Sequence, residues 1–302
     1  MGTPDFAVPS LKALFDAGYE IPLVITQPNR PVGRGKKLTP PPVKVVAKEL
    51  GIPVYQPEKV KGNKELLEKL KEISPDIIVV AAYGRILPDE ILELPKFKCL
   101  NVHASLLPEY RGASPIQSAL LDGKEKTGVT IMLISSELDS GDIISQEELK
   151  IEKDDNAKTL HDKLSKLGAK LLVETIPLYV SGKLKPYPQD HSKATYCKPI
   201  TKDMGKIDWK LPAEKIFNMV RAFTPWPSAY TSFNGKRIKI TKAKVVEGEG
   251  VPGEVIKTDN ELVIATGNKA LKILNLKPEG RKEISGEEFI RGYRVKVGDR
   301  FV

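Results

Sequence analysis

The chain has 302 residues, 40% of them hydrophobic and 29% charged, with a formal net charge of +9 and two cysteines. That length allows two separate cores, while Cys99 and Cys197 exclude a disulfide framework or a CxxC metal site and point to a reducing, cytoplasmic setting. No apolar run approaches the roughly 18 residues of a membrane helix, and the first residues show no signal-peptide pattern.

Residues 1–6 read as a Gly-containing turn, followed by a helix from Ala7 or Val8 to Ala17 with Gly18 as its stop. Ile21–Thr26 is a predicted strand. Gln27–Pro42 is a Pro- and Gly-rich loop, and residues 27–48 hold six basic side chains and no acidic one. Arg30, Arg34, Lys36 and Lys37 make this loop a candidate phosphate-contacting arm. It lacks the GxxxxGK[ST] pattern of a Walker loop. Helices are expected over Val43–Leu50 and Lys64–Ile73, with a short strand at Val54 between them. Asp76–Ala82 is apolar on both faces, as central parallel strands are. It ends in a turn, Tyr83-Gly-Arg-Ile-Leu-Pro88.

The stretch from Cys99 to Pro115 interrupts an apolar run with Asn101 and His103, two residues apart. At strand spacing both point to one face. Two readings stay open here: a buried histidine satisfied by its neighbour, or a polar pair at a strand end, where open α/β sheets bind ligands. Ser114 and Pro115 then read as N-cap and first residue of a helix. Strands alternate with helices up to residue 121 without a GxGxxG motif, which predicts a doubly wound, mostly parallel sheet and no dinucleotide site. Val129–Ile134 is another strand, and Ser136–Asp142 an acidic loop whose carboxylates serve either as turn formers or as partners of His103. Lys158–Tyr179 is a long amphipathic helix.

Periodicity is lost from Ser181 to Lys202. The expected organisation is a first domain over 1–182, a linker over 183–202 and a second domain over 203–302. The last contains a helix over Pro212–Phe223 and short strands up to Leu276 that suggest a small OB-like β-barrel. Residues 201–302 carry 20 Lys/Arg against 13 Asp/Glu. This excess favours a polyanionic partner such as nucleic acid over a merely solubilising surface. Lys236, Arg237, Lys239 and Lys242 alternate with Ile238 and Ile240, so part of the row faces solvent.

Taken together, Gly2-Thr-Pro-Asp-Phe-Ala, Pro28-Asn-Arg-Pro-Val-Gly-Arg-Gly-Lys-Lys37, Ala82-Tyr-Gly-Arg-Ile-Leu-Pro88, Asn101-Val-His-Ala-Ser-Leu-Leu-Pro108, Arg111-Gly-Ala-Ser-Pro-Ile-Gln117 and Leu138-Asp-Ser-Gly-Asp142 resemble motifs of the 10-formyltetrahydrofolate-dependent formyltransferases. The likeness runs essentially end to end. It implies a formyltransferase-like Rossmann variant, with Asn101, His103 and Asp142 as the catalytic set. The 10-formyltetrahydrofolate co-substrate is expected against Tyr83, Gly84, Ile86, Leu87, Pro88, Ser105, Leu106, Leu107, Pro108, Leu138, Asp139 and Gly141. The basic loop and the Arg221-Ala-Phe-Thr-Pro-Trp-Pro227 corner resemble the tRNA-acting members. They imply a methionyl initiator tRNA as acceptor, with Arg30, Arg34, Lys36, Lys37, Lys236, Arg237, Lys239 and Lys242 on its phosphates. No metal is expected, since the three histidines are dispersed; a monomer is expected.

The chemistry suits these residue types. A primary amine attacking a formamide carbon builds negative charge on the formyl oxygen, and Asn101 and protonated His103 can donate to it. A carboxylate can hold the imidazole or take a proton through a water. The rivals are a transferase acting on a small amine, a hydrolase releasing formate, and a non-catalytic nucleic-acid binder. The basic loop and basic second domain favour tRNA over a small amine, and the Asn/His/Asp set would be idle in a mere binder. In the family that the chain resembles, an apolar strand precedes the Gly2-Thr-Pro turn. The natural protein is therefore expected to begin several residues upstream, with Met1 internal.

Overall fold

Two compact units make up the chain, one of Met1–Gly112, Lys126–Lys150 and His161–Tyr196, the other of Ala113–Glu125, Ile151–Leu160 and Cys197–Val302. The second unit thus takes in two segments that lie within residues 1–182. The structure, a computed structural model, describes every residue except Gly33, Arg34 and Lys36, and gives only the backbone of Val32.

In chain order, α1 (Val8–Asp16) and β1 (Val24–Ile25) precede the antiparallel pair β2 (Arg30–Val32) and β3 (Lys37–Thr39). Then come α2 (Pro42–Glu49), β4 (Val54–Tyr55) and α3 (Lys64–Ile73). Local sequence is enough to make α3: Asn63 caps it by accepting from Leu66 N, Leu66 and Leu70 give it a buried stripe, and Ser74 ends it in the left-handed region. β5 (Ile78–Val80), α4 (Asp89–Leu92), β6 (Cys99–His103) and β7 (Arg111–Gly112) follow. α5 (Pro115–Leu121) belongs to the second unit, and β8 (Lys126–Leu133) and β9 (Ile143–Lys150) return to the first. α6 (Ala157–Val180) and β10 (Tyr196–Cys197) complete this part.

In the first unit β1 pairs parallel with β4, and β5 with β6, while Gly2 bridges Ile25 and Ala81. β8 runs antiparallel to β6, and β9 antiparallel to β8. The sheet is therefore mixed rather than mostly parallel. No helix separates β6 from β8 within this unit or β8 from β9, and strands joined without a crossover run antiparallel. A cavity of about 700 Å³ lies between β1 and β5, walled by Val24, Ile25, Ile78, Val79, Leu11 and Leu14. None of Asn101, His103 and Asp139 lines it.

The second unit holds α7 (Ala213–Ala222), β11 (Ala229–Phe233), β12 (Lys236–Val246), β13 (Val255–Lys257), β14 (Leu262–Ala265), β15 (Ala270–Pro278), β16 (Ile284–Ser285) and α8 (Gly286–Tyr293). The main ladder runs β11-β12-β15-β14-β13, all antiparallel. The C-terminal segment bonds to both outer strands: Ser232 and Val302 exchange backbone hydrogen bonds, and Val255 N donates to Asp299 O. The sheet thereby curls around Phe233, Phe289 and Phe301, whose rings pack together. α8 escaped the sequence reading although its capping box, Ser285 with Glu288, is visible in the sequence. Ser114 precedes α5 as expected, but its hydroxyl donates to Lys198 O instead of capping the helix. Among the described residues no helix is long and apolar enough to cross a membrane.

Candidate active site

β6 carries Asn101 and His103 on one face. Its neighbours Cys99, Leu100 and Val102 are buried, and burial pushes the Cys99 thiol up to about 12. His103 is itself buried: Nε2 is hydrogen-bonded to Tyr110 O at 3.0 Å, and Nδ1 lies 3.7 Å from Asp139 Oδ2, a charge contact longer than a hydrogen bond. Among the described residues nothing bonds the Asn101 amide, so it is available to a ligand.

The carboxylate beside His103 is that of Asp139, not Asp142. Asp142 is exposed and gives its backbone carbonyl to Leu133 N. Asp139 instead sits in the left-handed region at φ 48°, and its Oδ2 accepts from Gly112 N at 2.8 Å. The two acids lie three residues apart in one loop, and sequence spacing does not separate them. Backbone anchoring does.

The loop after His103 is fixed from the neighbouring strands. Thr130, opposite His103 in the β6–β8 register, donates its hydroxyl to Ser105 O at 2.7 Å and accepts from Leu107 N and Gln146 Nε2. Gln146 also donates to Leu107 O, and Ser105 Oγ donates to Glu109 O. Arg111, 2% exposed, sends Nε and Nη2 to Gln189 Oε1. Sequence reasoning missed Thr130, Gln146, Arg111 and Gln189; Gln189 lies where no periodic signal exists.

Of the residues expected to meet folate, Tyr83 and Leu87 turn their side chains into the core formed with Ile25, Leu66, Ile91 and Cys99. Burial also raises the Tyr83 phenol above its usual range, and that hydroxyl has no hydrogen-bond partner among the described residues. The turns around them present other apolar groups: Ile86 is 87% exposed and Leu138 61%. Leu107 is buried against Met132 and Ile143; Leu106, Pro88 and Pro108 are half-buried and Gly84 is exposed. Gly141 is buried, and a Cβ there would stand 2.0 Å from Leu133 O. Gln27 ties the base of the basic arm to the Tyr83 turn through Nε2 to Tyr83 O at 2.7 Å, while Arg30 donates to its Oε1.

Arg34 and Lys36 lie outside the described residues; Lys37 is exposed. On β12 a register shift between Ile240 and Ala243 re-phases the strand. Ile238, Ile240 and Ala243 point inward, whereas Arg237, Lys242 and Lys244 are exposed and Lys239 is half-buried. Lys244 extends the expected row. Lys236 sits at the exposed hairpin end, and Arg237 stacks 3.4 Å from the Tyr230 ring centroid.

Comparison with known families supplies the decisive observation. Residues 1–176 match the family model described as formyl transferase, and residues 199–294 that of the formyl transferase C-terminal domain.

The chain belongs to the formyl transferase family. It is 52% identical to the methionyl-tRNA formyltransferase of Bacillus velezensis over 99% of this chain and 95% of that protein. It is 51% identical to the one from Caldanaerobacter subterraneus, over 99% and 97%. Among solved structures it resembles an N-formyltransferase from Helicobacter canadensis, in complex with folinic acid and dTDP-3-aminofucose, with a TM-score of 0.67 and 22% identity over 90% of this chain and 97% of that one. It also resembles HypX from Aquifex aeolicus in complex with tetrahydrofolic acid, with a TM-score of 0.59 and 20% identity over 83% and 44%. At such identities these two structures speak for the formyl transferase fold alone. Among the described residues no group of three His, Cys, Asp or Glu side chains could hold a metal ion.

Proposed function

We propose that this formyl transferase moves the formyl group of 10-formyltetrahydrofolate to the amino group of methionyl initiator tRNA. One observation carries the chemistry: a histidine held between a carbonyl and a carboxylate at a strand end, with an amide on the same face that has no partner among the described residues. The folate co-substrate supplies the formyl group, and the exposed Ile86 and Leu138 offer its ring apolar contact.

The amine nitrogen bonds to the formyl carbon, and the carbonyl π pair moves onto oxygen. Asn101 Nδ2 donates to that oxygen, and so does the Nδ1–H of His103, which Asp139 faces at 3.7 Å without a hydrogen bond, the Nε2–H being taken by Tyr110 O. A lost donor of this kind raises a barrier by about 2.7–4 kcal/mol. Asp139, oriented by Gly112 N–H, balances the imidazolium and receives the ammonium proton directly or through water. Collapse of the intermediate returns the electron pair to the carbonyl and expels the folate nitrogen, which takes up the proton that Asp139 received. Asp142 has no part in this scheme.

On this reading the first unit, which runs on to Tyr196, supplies catalysis, and 203–302 form an OB-like barrel for tRNA; the expected linker over 183–202 is for the most part a segment of that first unit, and the enzyme is a cytoplasmic monomer. Arg30, Arg34, Lys36 and Lys37 reach the acceptor end, and Arg237, Lys239, Lys242 and Lys244 meet phosphates further along. The 50% identity to the methionyl-tRNA formyltransferase of Bacillus subtilis supports tRNA as the acceptor. The test is to incubate the protein with formyl-labelled 10-formyltetrahydrofolate and, separately, charged initiator tRNA, glycinamide ribonucleotide or no amine. Label on the tRNA alone is expected. Label on the ribonucleotide, or free formate without an amine, would replace this function.

A further inference from the structure

The segment around 187–196, which the sequence marks only as a linker, grips both acceptors that face His103. Ile143 and Tyr187 exchange backbone hydrogen bonds of 2.9 Å and anchor its start. Two residues on, Gln189 is 5% exposed and spends every hydrogen-bonding group. Its Nε2 donates to Asp139 O at 2.9 Å and to Gly141 O at 2.7 Å. Its Oε1 accepts from Arg111 Nε at 3.1 Å and Nη2 at 2.7 Å. The residue after Arg111 is Gly112, whose N–H holds the Asp139 carboxylate. Further along, Thr195 Oγ1 accepts from Tyr110 N at 2.8 Å and Thr195 O from Arg111 N at 2.8 Å, next to the carbonyl that faces His103 Nε2.

The register explains why such a grip is needed. β8 passes His103 at Thr130 and ends at Leu133 opposite Leu100, three residues beyond it, so the strand leads the chain away from the imidazole and the ladder itself does not deliver Asp139 to it. Hydrogen bonds made by the folded-back loop must do so.

We propose that Gln189 is a positioning residue for formyl transfer, its amide holding the Asp139–Gly141 backbone so that the Asp139 carboxylate stays against His103. The proposal rests on the role given to Asp139 above. Glutamine fits this task where glutamate does not. A carboxylate would still accept from Arg111, yet it would turn lone pairs toward two carbonyl oxygens that need donors.

The test compares Gln189→Glu and Gln189→Met with Asp139→Asn and the double variant Asp139→Asn/Gln189→Glu, recording kcat, KM for folate and for tRNA, and the melting temperature. A misplacement near 1 Å can cost on the order of 100-fold in rate. We expect each Gln189 variant to lower kcat by about tenfold or more with both KM values within about twofold. In the Asp139→Asn background Gln189→Glu should add less than about twofold, because the positioned carboxylate has gone. A merely structural glutamine would instead lower rate and stability independently in both backgrounds. The proposal is overturned if both Gln189 variants keep the wild-type kcat while Asp139→Asn loses it, or if the two losses multiply. Asp139→Asn at the wild-type rate would instead overturn the catalytic reading beneath it.

Discussion

Replacing Gly141 with alanine tests whether the loop after β8 sets the reaction rate. An added Cβ would stand 2.0 Å from Leu133 O and 3.0 Å from Leu133 C, and real Cβ contacts essentially never fall below 3.0 Å. The neighbouring atoms are backbone, so no side chain can swing aside, and the loop must move by about 1 Å. It cannot move toward β9, because Leu133 N holds Asp142 O and Ile143 is in register with Met132. Displacement therefore falls on residues 137–141, which carry Asp139 and the two carbonyls held by Gln189. A shift of that size lowers the rate by on the order of 100-fold, or about 2.7 kcal/mol of barrier. The assay is single-turnover transfer of labelled formyl to charged initiator tRNA at saturating folate, with the melting temperature recorded alongside. Asp142→Asn serves as the control and should stay within about twofold of wild type, since that carboxylate is exposed. A Gly141→Ala enzyme within about twofold of wild type would refute the claim that this loop geometry governs catalysis.

Arg221 donates Nε to Asp155 O at 2.7 Å and Nη2 to Glu152 O at 3.0 Å, so Arg221→Ala should lower stability by about 3 kcal/mol in urea unfolding, two charge-assisted bonds being lost. Arg237→Ala should reduce the slope of log tRNA affinity against log salt by about one; an unchanged slope would mean that Arg237 serves only its stack on Tyr230. Burial pushes the Cys99 thiol from 9.0 to about 12, which favours its protonated form in the fold. The associated stability is complete below about pH 9 and is lost as the pH rises toward 12. Native protein should therefore resist alkylation at Cys99 at pH 8, and Cys99→Ala should flatten the alkaline fall in melting temperature; rapid labelling of folded protein at this residue would contradict the shift.

The sequence by itself determined whatever depends on near neighbours along the chain. Asn63, Leu66 and Leu70 specify α3 because a cap and a 3.6-residue stripe are local properties. The two-residue strand period likewise put Asn101 and His103 on one face, and the run of motifs carried the family. The mixed sheet was not legible, because strand direction depends on which elements lie between paired strands. The choice of Asp139 over Asp142 lay equally beyond it: both acids suit the loop, and the decision rests on Gly112 N–H and the Gln189 amide, 27 and 50 positions away. Gln189 and Thr195 gave no pattern at all, since a side chain that bonds distant backbone needs neither periodicity nor regular structure around it. Local periodicity reports which face of an element is buried. Which polar groups meet across that buried space is settled only by tertiary packing, where each must find a partner or bear the cost of desolvation.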